Sequence, residues 1–363
     1  MTYITNERLK ALLSQLAEFC SNDLTYKYAT ASHAAAITDI TMQHALVTGG
    51  AGFIGSHLCE QLLQQGYQLT ILDDLSTGRF QNIAHLESDA NVRVVIDSVI
   101  HEDMVKQLVA DCDCVYHLAS AVGVQLIMDQ PVKTIENIFV GTEIVLRHCA
   151  RLRKPVLVTS TSEVYGKGIA VPFHEDDDVV TGATSKHRWA YACAKSLDEF
   201  LCLAHWKQSR MPVSVVRLFN TVGPRQTGQY GMVIPRFVQA ALEGAPLTVY
   251  GGGIQSRCFA HVADIVQGLV KMLETPSAHG QVVNLGNDEE VTIMELAQRV
   301  IAATESTSEI QHLSYEEVYG AGFEDMERRV PALGRARELV GYQATCTLDD
   351  ILRDVIAEQR AAM

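Results

Sequence analysis

The sequence predicts an α/β protein: a doubly wound parallel sheet with a smaller, interleaved C-terminal part. Three observations carry this. Six short apolar, β-branched runs recur after residue 43, with helical stretches between them; the first runs straight into a glycine-rich turn; the second ends in a pair of aspartates. Strands that are apolar along their whole length and alternate with helices belong to a parallel sheet covered on both faces.

The first run, 44–48 (HALVT), precedes SHLCEQLLQQG, where Leu58, Leu62 and Leu63 share one helical face. The remaining runs are 68–72 (QLTIL), 92–96 (VRVVI), 114–118 (CVYHL), 155–159 (PVLVT) and 213–218 (VSVVRL). In the last third 235–242 and 292–303 read as helices and strands become fewer. The expected division is an N-terminal extension over 1–43, a sheet domain over 44–218 and a mainly substrate-binding domain over 219–363, from which about 259–287 returns to the sheet. Within 1–43, Leu9, Leu12, Leu13, Leu16 and Phe19 recur at helical spacing and predict one amphipathic helix, with SNDLTYKYATASHAAA as a linker.

At 363 residues the chain has room for two domains at about 150 residues each. Its 29 basic and 43 acidic residues leave a net charge of −14, which argues against nucleic-acid and anionic-membrane partners. A small anionic ligand is not excluded, because a local arginine cluster can oppose the global sign. Nine scattered cysteines lack the paired spacing of a zinc site and read as buried thiols; no metal is expected. The opening residues carry acids and lack a continuous apolar core, and no run approaches the ~18 apolar residues of a membrane span. The expectation is a cytoplasmic protein.

The glycine turn is Gly49-Gly50-Ala51-Gly52-Phe53-Ile54-Gly55. Gly49 permits the turn, Gly52 lets the backbone approach a pyrophosphate, Gly55 lets helix pack close to strand, and the helix start offers N–H groups to phosphate. An acid at the end of the next strand accepts hydrogen bonds from an adenosine ribose and repels a 2′-phosphate, which favours NAD over NADP. Asp73 is assigned that role; Asp74 is the alternative, and either can instead cap the turn Leu75-Ser76-Thr77-Gly78. Asp97, after the third run, is placed to meet the adenine edge.

The fifth run ends in Thr159-Ser160-Thr161-Ser162-Glu163, and Tyr191 and Lys195 follow on an expected helix. Tyrosine and lysine four apart lie on one helical face. An ammonium beside a phenol favours the phenolate, so the expectation is a Tyr191 pKa below its usual ~10 and a phenol able to act as a base.

Taken together, TGGAGFIG, LDDLSTG, VYHLAS, TSTSEVYG, YACAK and LFNTVGPR resemble the extended short-chain dehydrogenase/reductase family, in particular its nucleotide-sugar epimerases, dehydratases and decarboxylases. The resemblance runs from about residue 44 to 356. It implies a Rossmann sheet and bound NAD that oxidises a sugar hydroxyl and usually takes the hydride back later. It implies Tyr191 as base, Lys195 on the nicotinamide ribose and Thr161 assisting. Leu118, Ala119 and Ser120 fall on the cofactor side.

Within the family, 4,6-dehydratases place Asp then Glu after the catalytic Thr. Ser162 stands at the Asp position here, a poor acid, so dehydration is disfavoured. Thr161-Ser162-Glu163, the RW of Arg188-Trp189 and the segment from Tyr319 to Pro331 resemble UDP-glucuronate decarboxylases and UDP-apiose/UDP-xylose synthases. In them the arginine two before the proline, here Arg329, faces the reacting end of the sugar. In the decarboxylation this implies, Ser162 or Arg329 directs a proton to C5 of the enolate and Glu163 positions the carboxylate by electrostatics or through water. Arg329 can alternatively bind phosphate or pair with Glu327, and Glu163 can be a structural acceptor. The segment from Arg225 to Val233 departs from the apiose/xylose pattern.

By the same resemblance Asn220 contacts a phosphate, 247–250 with Tyr250 flank the base, and Arg257 clamps the diphosphate of a UDP-sugar or other nucleotide sugar. A homodimer is implied through helices near 136–152 and 190–208, where Ile144, Val145, Phe200 and Leu203 suit either an interface or the core. The leading expectation is a UDP-glucuronate decarboxylase-like enzyme. The alternatives are a UDP-hexose or UDP-hexuronate 4-epimerase and, behind it, a 4,6-dehydratase or a non-catalytic dinucleotide sensor.

Overall fold

The computed structural model describes residues 44–120, 131–168, 170–228, 232–319 and 326–363. The amphipathic helix expected in residues 1–43 lies outside the described residues, as do parts of the segments 225–233 and 319–331.

Six strands follow the predicted runs: β1 (His44–Thr48), β2 (Gln68–Asp73), β3 (Val92–Ile96), β4 (Cys114–His117), β5 (Val156–Thr161) and β6 (Val213–Leu218). Four short strands come next, β7 (Thr221–Val222), β8 (Leu247–Tyr250), β9 (Ser256–Cys258) and β10 (Ala260–His261). Then β11 (Val282–Leu285) joins the main sheet beside β6, and β12 (Glu290–Thr292) and β13 (Ile310–Leu313) follow. The main sheet is parallel throughout, in the order β11-β6-β5-β4-β1-β2-β3.

The longer helices are α1 (Phe53–Gln64), α2 (Glu102–Asp111), α3 (Pro131–Leu152), α4 (Ala190–Ser209), α5 (Val233–Leu242), α6 (Val262–Glu274), α7 (Ile293–Thr304) and α8 (Leu348–Ala362). Burial explains the strand composition. β4 and β5 are buried at every position, which favours their apolar, β-branched residues and leaves His117, Thr159, Ser160 and Thr161 as buried polar ends, whereas β3 lies at the sheet edge and leaves Ile96 half exposed. Leu46, Val115, Val145, Val158 and Val215 belong to one apolar core. Phe237, Val249, Leu296 and Leu352 belong to a second, built from later residues.

One expectation needs correcting. Strands do not become fewer late in the chain: six of the described strands follow residue 243, but none exceeds four residues, too short for a periodic signal. Ile144 and Val145 are core residues; of the residues considered for an interface, Phe200 is the exposed one, at 71%.

The chain leaves β1 for β2 on one side and pairs it with β4 on the other, so the strand order reverses between β1 and β4. Loops leaving the carboxyl ends there diverge and open a crevice. That crevice positions the site.

Candidate active site

A cavity of about 510 Å³ occupies the crevice. Every site residue expected from sequence lines it except Gly78. Gly78 stands behind Asp73, where a Cβ would come within 2.8 Å and 2.9 Å of the carboxylate oxygens. It leaves room for Asp73 rather than meeting a ligand.

At one end the glycine turn is cut to backbone width. Gly49 has φ +73°, and a Cβ there would lie 2.7 Å from the Ala119 nitrogen; a Cβ on Gly55 would lie 2.1 Å from the Gly49 oxygen. Gly52 N-caps α1 with no side-chain bond, and the first turn carries no acid, so its N–H groups and helix dipole suit an anion. Phe53 and Ile54 line the wall beside it, as do Leu118 and Ala119 just after β4.

Asp73 is buried and accepts from the backbone nitrogens of Ala51 and Leu75, each at 2.9 Å. Burial pushes its carboxyl up, and those N–H groups pull it back. A carboxylate has about four acceptor sites, more than these backbone N–H groups fill, which leaves capacity for a ribose hydroxyl. Asp74 instead caps the turn by accepting from Ser76 N at 2.9 Å, with Ser76 and Thr77 also on the wall. Asp97 accepts from Ser98 N at 2.7 Å and pairs with His101, whose hydrogen bond holds the carboxyl below its ordinary range. The narrow glycine cradle, uncapped helix start and part-satisfied buried acid fit a dinucleotide.

At the centre, β5 ends on Thr161, whose Oγ1 accepts from Glu163 N at 3.2 Å and caps the tight turn Ser162–Tyr165. That turn places Glu163 between two guanidinium groups: Arg188 Nη1 donates to Oε2 at 2.7 Å, and Arg329 Nη1 stands 3.1 Å from Oε1. Burial alone would raise the Glu163 carboxyl; Arg329 and Arg188 outweigh it and hold it at about 2. The partner of Arg329 is thus Glu163, not Glu327. Arg329 Nη1 also reaches Ser162 Oγ at 3.5 Å, and its Nε is buried with no hydrogen-bond partner.

Tyr191 and Lys195 occupy one face of α4, and the phenol packs with Ile138 and Ala194. The expected depression of the phenol is not found. Burial pushes its pKa up, the nearby Glu163 charge adds to that, and the hydroxyls of Thr161 and Ser120 only partly offset it. The Lys195 ammonium lies in an ion pair of its own, its Nζ donating to Asp198 Oδ2 at 3.1 Å.

At the far end Asn220 Nδ2 donates to Cys258 O at 2.9 Å. The Arg257 guanidinium, nearly buried, donates to Ser256 O at 2.8 Å and Glu327 O at 3.3 Å. Arg236 lies over the Tyr250 ring, 4.3 Å from its centroid, and hydrogen-bonds its hydroxyl. Sequence reasoning assigned no role to Arg236, Arg225 or Arg188. Arg188 had a signal in the RW pair; the others are brought in by tertiary packing, as where Arg225 reaches Ser56 Oγ at 3.1 Å and Glu60 at 2.5 Å on α1. Among the described residues no group of His, Cys, Asp and Glu side chains could hold a metal ion.

Comparison with known proteins agrees with this geometry. A family model described as GDP-mannose 4,6 dehydratase matches residues 46–355. The UDP-N-acetyl-alpha-D-glucosaminuronate decarboxylase of Bacillus cytotoxicus is 41% identical over 86% of this chain and 97% of its own length. UDP-glucuronic acid decarboxylase 1 of Danio rerio is 37% identical over 86% of this chain and 71% of its own. Among solved structures, UDP-glucuronic acid 4-epimerase from Bacillus cereus, in complex with UDP-glucuronic acid and NAD, superposes with a TM-score of 0.80 at 27% identity, covering 88% of this chain and 100% of that one. With a glycine-cradled crevice, Thr161, Tyr191 and Lys195 around one cavity, and a family match along most of its length, the chain belongs to the GDP-mannose 4,6 dehydratase family of extended short-chain dehydrogenases/reductases.

Proposed function

We propose that this chain is an NAD-dependent decarboxylase of a UDP-linked hexuronate. The observation that carries the reading is the Arg188–Glu163–Arg329 cluster beside Thr161 and Tyr191: Arg329 shares Glu163 with Arg188, and its buried Nε has a donor to spare. A sugar C6 carboxylate supplies a charged acceptor for that donor, and arginine is the side chain suited to hold it. A neutral hexose offers no such carboxylate. Ser162 at the position where a dehydratase carries an acid leaves nothing to protonate a departing hydroxyl.

Gly49, Gly52 and Gly55 take the pyrophosphate of NAD and Asp73 its adenosine ribose; bound there, NAD supplies a hydride acceptor that can return the hydride. Tyr191 takes the proton of the sugar 4-hydroxyl, with Thr161 sharing it and Lys195 orienting the nicotinamide ribose. The resulting 4-keto acid loses its carboxylate as CO2: the C5–C6 bond breaks and its electrons pass to the ketone oxygen. Arg329 and Ser162 hold the carboxylate, and the enolate takes a proton at C5. Asn220, Arg257 and Tyr250 hold the UDP. Residues 44–218 serve mainly the cofactor and 219–363 mainly the sugar nucleotide.

The UDP-N-acetylglucosaminuronate named for the Bacillus cytotoxicus relative and the UDP-glucuronate named for the vertebrate one differ at C2, so both are to be assayed with NAD. Release of CO2 from either supports the proposal. Inversion at C4 with the carboxylate intact makes the chain a 4-epimerase, the activity for which the Bacillus cereus protein is named. Turnover of neither sinks the reading.

The working state we propose is a homodimer in the cytoplasm. α3 exposes Val132, Ile135 and Val140, and its neighbour α4 exposes Leu197 and Phe200, an apolar surface suited to a second copy. Light scattering should return twice the chain mass, and Phe200→Glu should return the monomer.

A further inference from the structure

The roles assigned above leave one buried polar chain without a task. Asp198 lies three residues beyond Lys195 on α4 and is fully buried. Its Oδ2 accepts from Lys195 Nζ at 3.1 Å and from the Thr142 hydroxyl at 2.9 Å, while Oδ1 has no hydrogen-bond partner. Because the Thr142 proton is spent on Asp198, Thr142 Oγ1 must accept from His117 Nε2, 3.1 Å away. His117 Nδ1 must then accept from the Thr48 hydroxyl at 2.8 Å, and Thr48 Oγ1 accepts in turn from Ala119 N at 3.3 Å. Every bond points the same way, from the β1 and β4 ends toward the Asp198 carboxylate, and each polarises the next.

We propose that Asp198 is a positioning residue for the acid–base pair: it holds the Lys195 ammonium in a buried ion pair and, through Thr142, His117 and Thr48, ties it to the strand ends that build the cofactor crevice. The inference rests on the reading of Tyr191 and Lys195 given above. Its consequence is electrostatic. Tyr191 faces Glu163 with its two arginines from the β5 turn, and Lys195 and Asp198 from its own helix. Asp198 faces Lys195, Glu199 and Cys202 on α4, Thr142 on α3 and, beyond Thr142, the ring of His117, which burial keeps neutral. With the ammonium and the Asp198 carboxylate cancelling, the cofactor-free site keeps the Tyr191 phenol protonated. The oxidised nicotinamide ring brings a positive charge of its own.

The experiment is an ultraviolet tyrosinate titration of the cofactor-free protein, read as the difference from the same protein carrying Tyr191→Phe. Asp198→Asn keeps the shape and removes the charge, so the ammonium is no longer cancelled; the Tyr191 titration should move down by about one pH unit or more. Asp198→Glu should restore it. The acid limb of the kcat profile with NAD and UDP-hexuronate should move the same way. If Asp198→Asn does not fold, Asp198→Ser is measured identically. A merely structural Asp198 would lower yield or activity without moving either curve, and an unmoved or upward curve overturns the proposal. Should Tyr191→Phe keep full turnover, it is the reading of the acid–base pair that fails instead.

Discussion

Glu163 and Arg329 form an ion pair of 3.1 Å in the wall of the cavity, with the Ser162 hydroxyl at the same guanidinium nitrogen. The pair brings together two ends of the chain: a turn closing a central strand and a late segment that forms no strand or helix of its own. Its chemistry follows from what is left over. Arg188 already satisfies the other Glu163 oxygen, so the second guanidinium carries a donor beyond what one carboxylate can absorb.

Glu163→Gln should therefore lower kcat on UDP-hexuronate by on the order of 10²-fold, the scale of losing one well-placed charged group. It should shift the acid limb of the pH profile down without abolishing it, because the Glu163 charge helps keep the Tyr191 phenol protonated. The carboxyl is held at about 2, so its charge is constant across any pH at which the enzyme works. A limb that disappears in Glu163→Gln would show that Glu163, not Tyr191, is the titrating base.

Arg329→Met keeps much of the side-chain volume and removes the guanidinium. Binding of the uronate should weaken by tenfold or more in KM, while a neutral UDP-hexose, as a competitive ligand, should bind within about twofold of the unaltered protein. Charge-assisted bonds contribute about 1.5–3 kcal/mol, which sets that scale. Equal weakening of both ligands would place Arg329 on the UDP and not on the carboxylate.

Much of this was legible in the sequence where the determinants are local. The inner strands of the sheet announce themselves because burial on both faces favours unbroken apolar runs. The glycine turn is legible because Gly49 needs a positive φ and Gly55 has no room for a Cβ. Partners across the fold were not legible. Lys195 stands beside Asp198 in sequence, but nothing local says that this carboxylate points inward to meet both the ammonium and Thr142, 56 residues away. Burial of the phenol, with the Glu163 charge behind it, reversed the expected direction of the Tyr191 shift. Arg236 over Tyr250 and Arg225 on α1 likewise depend on how later segments return across the crevice, which no periodicity records.

Gly55→Ala tests the cofactor cradle. Its Cβ would stand 2.1 Å from the Gly49 oxygen and 2.8 Å from the Gly50 Cα, all backbone, so the turn must open to admit it. Forcing atoms into packed space costs about 1–3 kcal/mol. The variant should melt lower, and saturating NAD should raise its melting temperature far less than it raises that of the unaltered protein. A normal shift with NAD would mean that the cradle is wider than the structure shows.

His117 links the fold to pH. Burial is the main cause that brings its pKa down to about 3, with the Lys195 charge adding to it, so the folded protein keeps the ring neutral where an unfolded chain would protonate it. Unfolded histidine titrates near 6.5, so between about 6.5 and about 3 the unfolded state binds one more proton at this position than the folded state does. Stability is then present in full above pH ~6.5 and drains away as pH falls, by up to about 1.4 kcal/mol per pH unit from this group alone. His117→Gln retains an amide able to donate to Thr142 and removes the titration. Urea midpoints measured from pH 7 down to pH 4 should fall less steeply in the variant, even though the variant starts lower at pH 7 for want of a perfect fit to Thr48. Parallel lines for the two proteins would mean that His117 takes up its proton in the folded state, and that the one-way run of hydrogen bonds from Thr48 to Asp198 does not hold.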